Sequence, residues 1–533
     1  MGESSTPSGD NSLEAERREI TSYMKSHNLE SSLNDVVNEL VKERPADPYS
    51  DLSQTLRDRS KMSGKILDVK SREVMGSNGF PCYEVCITTL RGRFVTVVAN
   101  VGPFDGDEDR CGGRGLLKAV ETTQTLLGDK LLGLDPTKQS EIDSVLNSDM
   151  SHPRCAILGL SACACKAGAA EKEVDVYVHV GELANVSTPQ IPLPWFTLVN
   201  GGEAAKNEIY PHSMHLALIK ATTISEAIEQ ASDIYRTFPP EFVVGEEGDD
   251  KLSDPNQSNS GGFAPSTESV ERCMKAVKAA AVKVGNENGI KIGLNMQVKE
   301  YSEKLEDTED NDGEEDAFQY ELSKYQPEGS VSVLKNSGEM VDQYYEWLTS
   351  YPLVYLEDSF DRRDGGGLMS LKEKIEAEHE RYKTEGGDAD EESINYFPGN
   401  VGGKHDVLVQ LSANETITSP DDITRADEKQ IVNNVCLSLS KAGSVSKLIE
   451  LNAKAERLGM KVVYAGDEGE GIGNGNGDVF NSHLAVGLKA SQFKGGGLLN
   501  GGFAEQYNEF IRIQEKDDAI KYVGGNYMGN KDE

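Results

Sequence analysis

One pattern limits this chain more than any other: short, wholly apolar runs that recur between helical stretches. The clearest is Leu353-Val-Tyr-Leu356, closed by Glu357 and Asp358. Apolar residues at successive positions describe a strand buried on both faces, as in a parallel sheet or barrel. Similar runs lie at 194–199, 240–244, 290–294, 407–411, 435–439 and 461–464, most of them separated by helical patterns. The recurrence predicts parallel strands with helical crossovers, and their number suits a closed α/β barrel. Such folds place chemistry at the C-terminal ends of barrel strands, which singles out Glu357. The plainer alternative is a strand end whose acids face water.

The chain before the barrel changes character twice. Residues 1–14 read as a polar, disordered tail and 15–60 as helical. From 62 to 188 the pattern is α+β: alternating strands at 65–70, 83–89 and 93–99, then helical stretches at 114–128, 137–147 and 154–171. The barrel is expected over 189–528. Asp249–Ser260, Glu303–Asp316 and Gly386–Glu392 are polar or acidic and read as surface insertions. They carry much of a net charge of -36, which argues against nucleic acid as a partner. No apolar run reaches the roughly 18 residues a membrane span needs. Eight cysteines without Cys-x-x-Cys pairing read as reduced thiols of an intracellular protein. Met1-Gly-Glu-Ser-Ser-Thr6 fits a myristoylation pattern, but no second anchor accompanies it.

In the helical segment Leu33, Val36, Val37, Leu40 and Val41 form one apolar face. Pro45 and Pro48 make a corner, and Leu52 and Leu56 restart a stripe. Helices this short cannot bury their faces alone, so a partner copy or partner helix is implied. The run Asn34–Leu56 resembles the dimerisation/docking modules of the protein kinase A regulatory-subunit type. That resemblance implies a paired helical bundle that receives an amphipathic helix from an anchoring protein. The plainer alternative is an amphipathic helix that packs on the main body.

Most of the remainder resembles enolase. Ile66–Val85, Leu116–Glu121, Cys165–Lys172, Asn200-Gly-Gly202, Gly261-Gly-Phe-Ala-Pro265, Tyr351–Asp361, Gln492-Phe-Lys494 and Glu505–Glu515 carry the likeness in order. The resemblance implies an enolase-type barrel behind an α+β cap. It also implies a lysine base with Mg²⁺ for taking a proton from a carbon beside a carboxylate.

The implied site departs from the family at most positions. Of the three acids that hold the first Mg²⁺, Glu357 is kept, whereas Asn295 and Ala413 stand at the other two. A register shift that brought in Glu415 would restore one ligand. Ser438 stands at the base lysine, with Lys441 three residues on; Ala204 and Ser213 replace a histidine and a glutamate. His212 beside Pro211 reads as an exposed loop residue. Gly466 and Asp467 replace the His-Arg of the phosphate grip, reversing its charge. The lid loop Ala99–Gly106 is short, and Gly469–Gly477 lacks the spacing and the lysine of a phosphate loop. Glu247, Glu357 and Lys494 remain, the first and last as vestigial catalytic groups.

A serine cannot take the proton near neutrality without its own base. The chain therefore reads as a degenerate enolase homologue with no cofactor, acting as a scaffold. A homodimer and an anchoring protein are its expected partners. An enolase fold joined to a docking module resembles a sperm-type member, which points to the cytoplasm and to axonemal complexes of a cilium or flagellum. The alternatives are an active phosphopyruvate hydratase using Mg²⁺ in glycolysis, and a sensor binding another small molecule.

Overall fold

The computed structural model describes residues 10–76, 79–99, 110–149, 151–244, 253–267, 269–305, 318–327, 329–384, 409–430, 432–466, 478–517 and 519–524. It begins with three helices, α1 (Asp10–Ser26), α2 (Leu29–Glu43) and α3 (Pro48–Asp58). α1 starts inside the stretch read as a tail. The proline corner works as the sequence suggests. Pro48 takes the first helical position, and Asp47 Oδ1 accepts the backbone N–H of Tyr49 and Ser50, both at 3.2 Å.

α3 is fastened to the cap domain. The Arg91 guanidinium donates to Asp58 at 2.8 Å and lies 2.7 Å from Glu173, and Gln54 donates to Glu173 at 2.9 Å. Val36 is buried, while Leu40, Leu52 and Pro45 are half-buried and Pro48 is exposed. Leu33, Val37, Val41 and Leu56 are 45%, 44%, 64% and 39% exposed, and Ile20, Tyr23 and Met24 of α1 are exposed as well. Apolar side chains are therefore exposed on both α1 and α2.

In the cap, β1 (Asp68–Met75), β2 (Pro81–Thr89) and β3 (Gly92–Ala99) pair antiparallel, with Val69 opposite Ile87 and Tyr83 opposite Val98. α4 (Arg154–Glu171), built largely of Ala, Gly and Cys, packs on that sheet. A side chain at Gly159 would begin 2.9 Å from the Tyr83 ring, so glycine sets how closely helix and sheet approach.

α5 (Val176–Ala184) buries His179 with neither ring nitrogen bonded among the described residues. Burial, then the charge of Lys172, lowers its pKa from 6.5 to about 4. The unfolded chain therefore takes up this proton first, and stability is lost as pH falls from 6.5 to about 4. Relative to the wild type, His179→Leu should gain about 2 kcal/mol between pH 7 and pH 5, read by denaturant unfolding at both. An unchanged difference would contradict this reading.

Among the described residues eight strands close the barrel: β4 (Leu193–Asn200), β5 (Ser213–Leu218), β6 (Ile290–Asn295), β7 (Leu353–Glu357), β8 (Gln410–Ala413), β9 (Asn434–Ser438), β10 (Lys461–Ala465) and β11 (Gln492–Lys494). β11 returns to β4, with Lys494 paired to Trp195. The α/β barrel stands as expected, with one difference in topology. β5 runs antiparallel to both neighbours, Ser213 pairing with Asn200 and with Asn295. The run at 240–244 is not a strand but the end of α6 (Ile224–Val244), which continues through Pro239 and Pro240. Phe238 and Phe242 stack within it, and Arg272 donates to the Phe242 carbonyl at 3.1 Å, replacing order that the prolines remove.

The barrel interior is partly polar. Trp195 donates to Gln492 at 2.6 Å, and Gln410 Oε1 accepts from Gln492 at 2.7 Å and from Asn434 at 2.6 Å. Such a chain holds register because each buried polar group already has its partner. Gly293 leaves room for it: a Cβ there would meet Trp195 and Tyr355 at 3.1 Å. Of the three insertions, 256–257 pairs with 263–264 and Ser302–Lys304 joins a small sheet with Phe318–Glu321 and Leu334–Asn336. The segments 249–252, 306–317 and 385–408 lie outside the described residues.

Candidate functional site at the barrel mouth

Seven of the strands point their C-terminal ends at one rim. β5 runs the other way, so it contributes its first residue, Ser213, to the same rim. This is how Asn295, Glu357, Ala413, Ser438, Lys494 and Ser213 come to the same end of the barrel. Gly466 follows β10 there, and its N–H donates to the Lys494 carbonyl at 2.7 Å. Ala204 lies in a short helix at 202–205. Glu247, Asp467 and the loop 100–106 lie outside the described residues.

Glu357 is the centre. Its side chain is wholly buried, and every direction around the carboxylate is taken by protein. Lys494 Nζ lies 2.8 Å from both oxygens; Asn414 donates to Oε1 and Tyr355 to Oε2, each at 2.5 Å. Burial alone would push the Glu357 carboxyl up. The charge of Lys494, with hydrogen bonds from Lys494 and Tyr355, holds it down at about 2. Asp358 behaves oppositely: burial, then the charge of Glu357, raises it to about 6. Asp358 has φ 46, and its oxygens accept the N–H of Asn414 at 2.9 Å and of Glu415 at 3.1 Å.

Ser438 plays a structural part. Its hydroxyl caps the short helix Leu439–Ala442, accepting the Lys441 N–H at 3.3 Å. That turn swings Lys441 back across the mouth, where its amine donates to the Asn414 carboxamide oxygen. A strand that continued past Ser438 would aim Lys441 in another direction. The cap ends the strand instead.

The opposite wall is a polar relay. Ser213 Oγ lies 2.9 Å from His215 Nε2, and His215 Nδ1 lies 3.1 Å from Thr197 Oγ1. His212 is half-buried rather than exposed and lies 3.3 Å from Ser213 Oγ. Burial, then the charge of Lys494, lowers His212 from 6.5 to about 4 and takes His215 well below 6.5, so both are neutral near pH 7.

At Gly466 a Cβ would stand 2.5 Å from Gln506 Oε1, so Gln506 fills the space a longer side chain would need. Glu415 turns outward to Lys299 at 3.2 Å and Gln297 at 3.4 Å, and the register shift that would bring it inward is not seen.

These residues do not fit a Mg²⁺ shell. Glu357 has no carboxylate lone pair left over, Ala413 has no donor atom, and Asn295 offers a neutral amide oxygen. That oxygen, Asn295 Oδ1, is buried without a partner among the described residues. No group of three His, Cys, Asp or Glu side chains among them could hold a metal ion.

Comparison with known proteins fixes the family. Residues 188–381 and 387–531 match the enolase C-terminal TIM barrel domain, and 66–180 match the enolase N-terminal domain. The chain belongs to the enolase family. Enolase from Mastigamoeba balamuthi is 30% identical over 468 residues, covering 85% of this chain and 95% of the relative. Cytosolic enolase 3 from Arabidopsis thaliana is 27% identical over 522 residues, covering 95% of this chain and 98% of the relative. Enolase 1 from Entamoeba histolytica is 27% identical over 482 residues, covering 87% and 99%. The Arabidopsis match leaves out 5% of 533 residues, about 27, so it reaches at least into the helical segment.

Sequence reasoning missed Tyr355, Asn414, His215 and Thr197. Two of them carried a signal. Tyr355 is two residues before Glu357 and His215 two after Ser213, so strand alternation puts each on its neighbour's side.

Proposed function

We propose that this enolase-family chain has a degenerate active site and serves as a scaffold docked through its N-terminal helices. One observation carries the proposal: Lys494, Asn414 and Tyr355 already hold both oxygens of Glu357, the one acid kept from the family's metal triad. In this reading Asn295 and Ala413 mark lost ligands, and Ser438, Ser213, Ala204, Gly466 and Asp467 mark lost catalytic positions. Lys494 and Glu247 are vestigial. No Mg²⁺ is required. The test is turnover of 2-phosphoglycerate with Mg²⁺, followed by the absorbance of the enol phosphate.

A second reading, an active phosphopyruvate hydratase, draws support from Lys441. Its amine comes back to the mouth from which the family's base is missing, and the three relatives are named enolases. In that case Mg²⁺ binding needs Glu357 to release Lys494.

The exposed apolar face of α1 and α2 supports docking. Its partners are a second copy and an amphipathic helix of an anchoring protein. The setting is the cytoplasm, at a cilium or flagellum and its axonemal complexes; a relative named cytosolic enolase 3 supports the first part only. Deleting residues 1–60 is expected to abolish localisation and leave barrel unfolding unchanged. Val37→Asp with Val41→Asp should do the same, because exposed positions shift stability by only about 0.5 kcal/mol. Imaging of tagged protein decides it, and persistent localisation of both variants places the anchor elsewhere.

A further inference from the structure

Beside the mouth, on its outer flank, lies a cavity of about 340 Å³ between the segments that follow β6, β7 and β8. Gln297, Lys299, Asp358, Arg362, Arg363 and Glu415 line it, and Glu357 does not. We propose that this cavity binds a small organic anion through Arg362 and Arg363. Such binding does not depend on whether the barrel mouth is active.

Charge alone does not decide the ligand, since the cavity carries three acids and three bases. What decides it is which atoms are already committed. Asp361 receives Arg363 through Nε and Nη2, both at 2.8 Å, and Ser302 at 2.7 Å. Asp358 is filled by two backbone N–H groups, and Glu415 by Lys299 and Gln297. Every acid is therefore answered. On the basic side, Arg362 is exposed and has neither hydrogen bond nor ion pair among the described residues. Arg363 commits one edge to Asp361, and its Nη1 has no hydrogen bond among the described residues. The uncommitted groups are donors arranged in planar forks, which suit carboxylate or phosphate oxygens. Phe360 and Val298 supply an apolar wall for the body of the ligand.

The walls are built rather than incidental. Gln297 and Asp358 both adopt left-handed backbone conformations, φ 44 and φ 46, which side chains other than glycine rarely take. Their segments are tied together, Met296 N–H donating to the Glu357 carbonyl at 2.9 Å and Val298 N–H to the Asp358 carbonyl at 3.3 Å. Strain held in place by such bonds gathers at sites that must keep one shape. The volume lies at the lower end of the range of about 300–1,000 Å³ typical of ligand pockets.

The experiment is calorimetric titration of the full chain with inorganic phosphate and, separately, with succinate at matched ionic strength. Saturable binding of either supports the site and identifies its head group. Arg362→Ser should weaken that binding by at least about tenfold, with Arg362→Lys intermediate, because losing a charged hydrogen bond costs that much. Circular dichroism confirms folding of both variants. Lys441→Met, in the mouth, should leave binding unchanged. The proposal is overturned if neither anion saturates at millimolar concentration, if Arg362→Ser binds as well as the wild type, or if binding follows Lys441 instead.

Discussion

Supplied with 2-phosphoglycerate and Mg²⁺, the full chain is expected to form enol phosphate at least about 10⁴-fold more slowly than an active enolase. Losing a general base costs about 10²–10⁴ in rate, and in the proposed reading Ser438 stands at that position, where it is occupied as a helix cap. A second loss comes on top of it. Charge developing on a carboxylate-stabilised carbanion needs a cation fixed beside it, and the Glu357 carboxylate is occupied by Lys494. Added Mg²⁺ is therefore expected to leave the thermal midpoint unchanged up to millimolar concentrations. A rate within about tenfold of an active enolase, or a saturable Mg²⁺ shift, would falsify the degenerate reading and favour a base supplied by Lys441.

The second large effect is on stability. Lys494→Met should cost about 3–5 kcal/mol, because it leaves a carboxylate buried without its counter-charge. The pH dependence shows the cause. In the wild type the Glu357 carboxyl, held at about 2, lies below its ordinary 4.5. Its contribution is present above pH 4.5 and fades as pH falls towards 2. Without the lysine, burial dominates and the carboxyl rises above 4.5. The loss is then greatest near neutrality and shrinks as the medium is acidified. Adding Glu357→Gln to Lys494→Met should recover much of the loss at pH 7, since no charge is then stranded. Denaturant unfolding of the barrel transition reads all three proteins. Equal losses in the single and double variants would mean that the pair is not coupled.

Much of this architecture was legible in the residues. The run at 353–357 is a barrel strand to the residue, and the recurrence that it heads does close into a barrel. Two elements misled for opposite reasons. Ser213–Leu218 mixes His215 and Ser213 with apolar residues, because one side lines a polar mouth, so it lacks the continuous apolar look of its neighbours. Residues 240–244 begin at the second of two prolines and read as a fresh strand, yet aromatic stacking and Arg272 carry the helix through. The site was legible where strand ends supply it and obscure where it depends on a turn. Asn414 enters because β8 stops at Ala413, and Lys441 enters because a serine bends the chain after β9. Neither event leaves a periodic trace.

The cap at Ser438 has a consequence for how such a barrel changes over generations. Placing a lysine at 438 would remove the oxygen that fastens the Lys441 N–H, at a cost of about 1 kcal/mol. The same step would loosen the turn that holds the present amine over Asn414. One change therefore exchanges one ammonium for another without gaining a second, and a site holding both lies at least two coordinated steps away. Under the proposed degenerate reading, a change secured in this way acts as a ratchet.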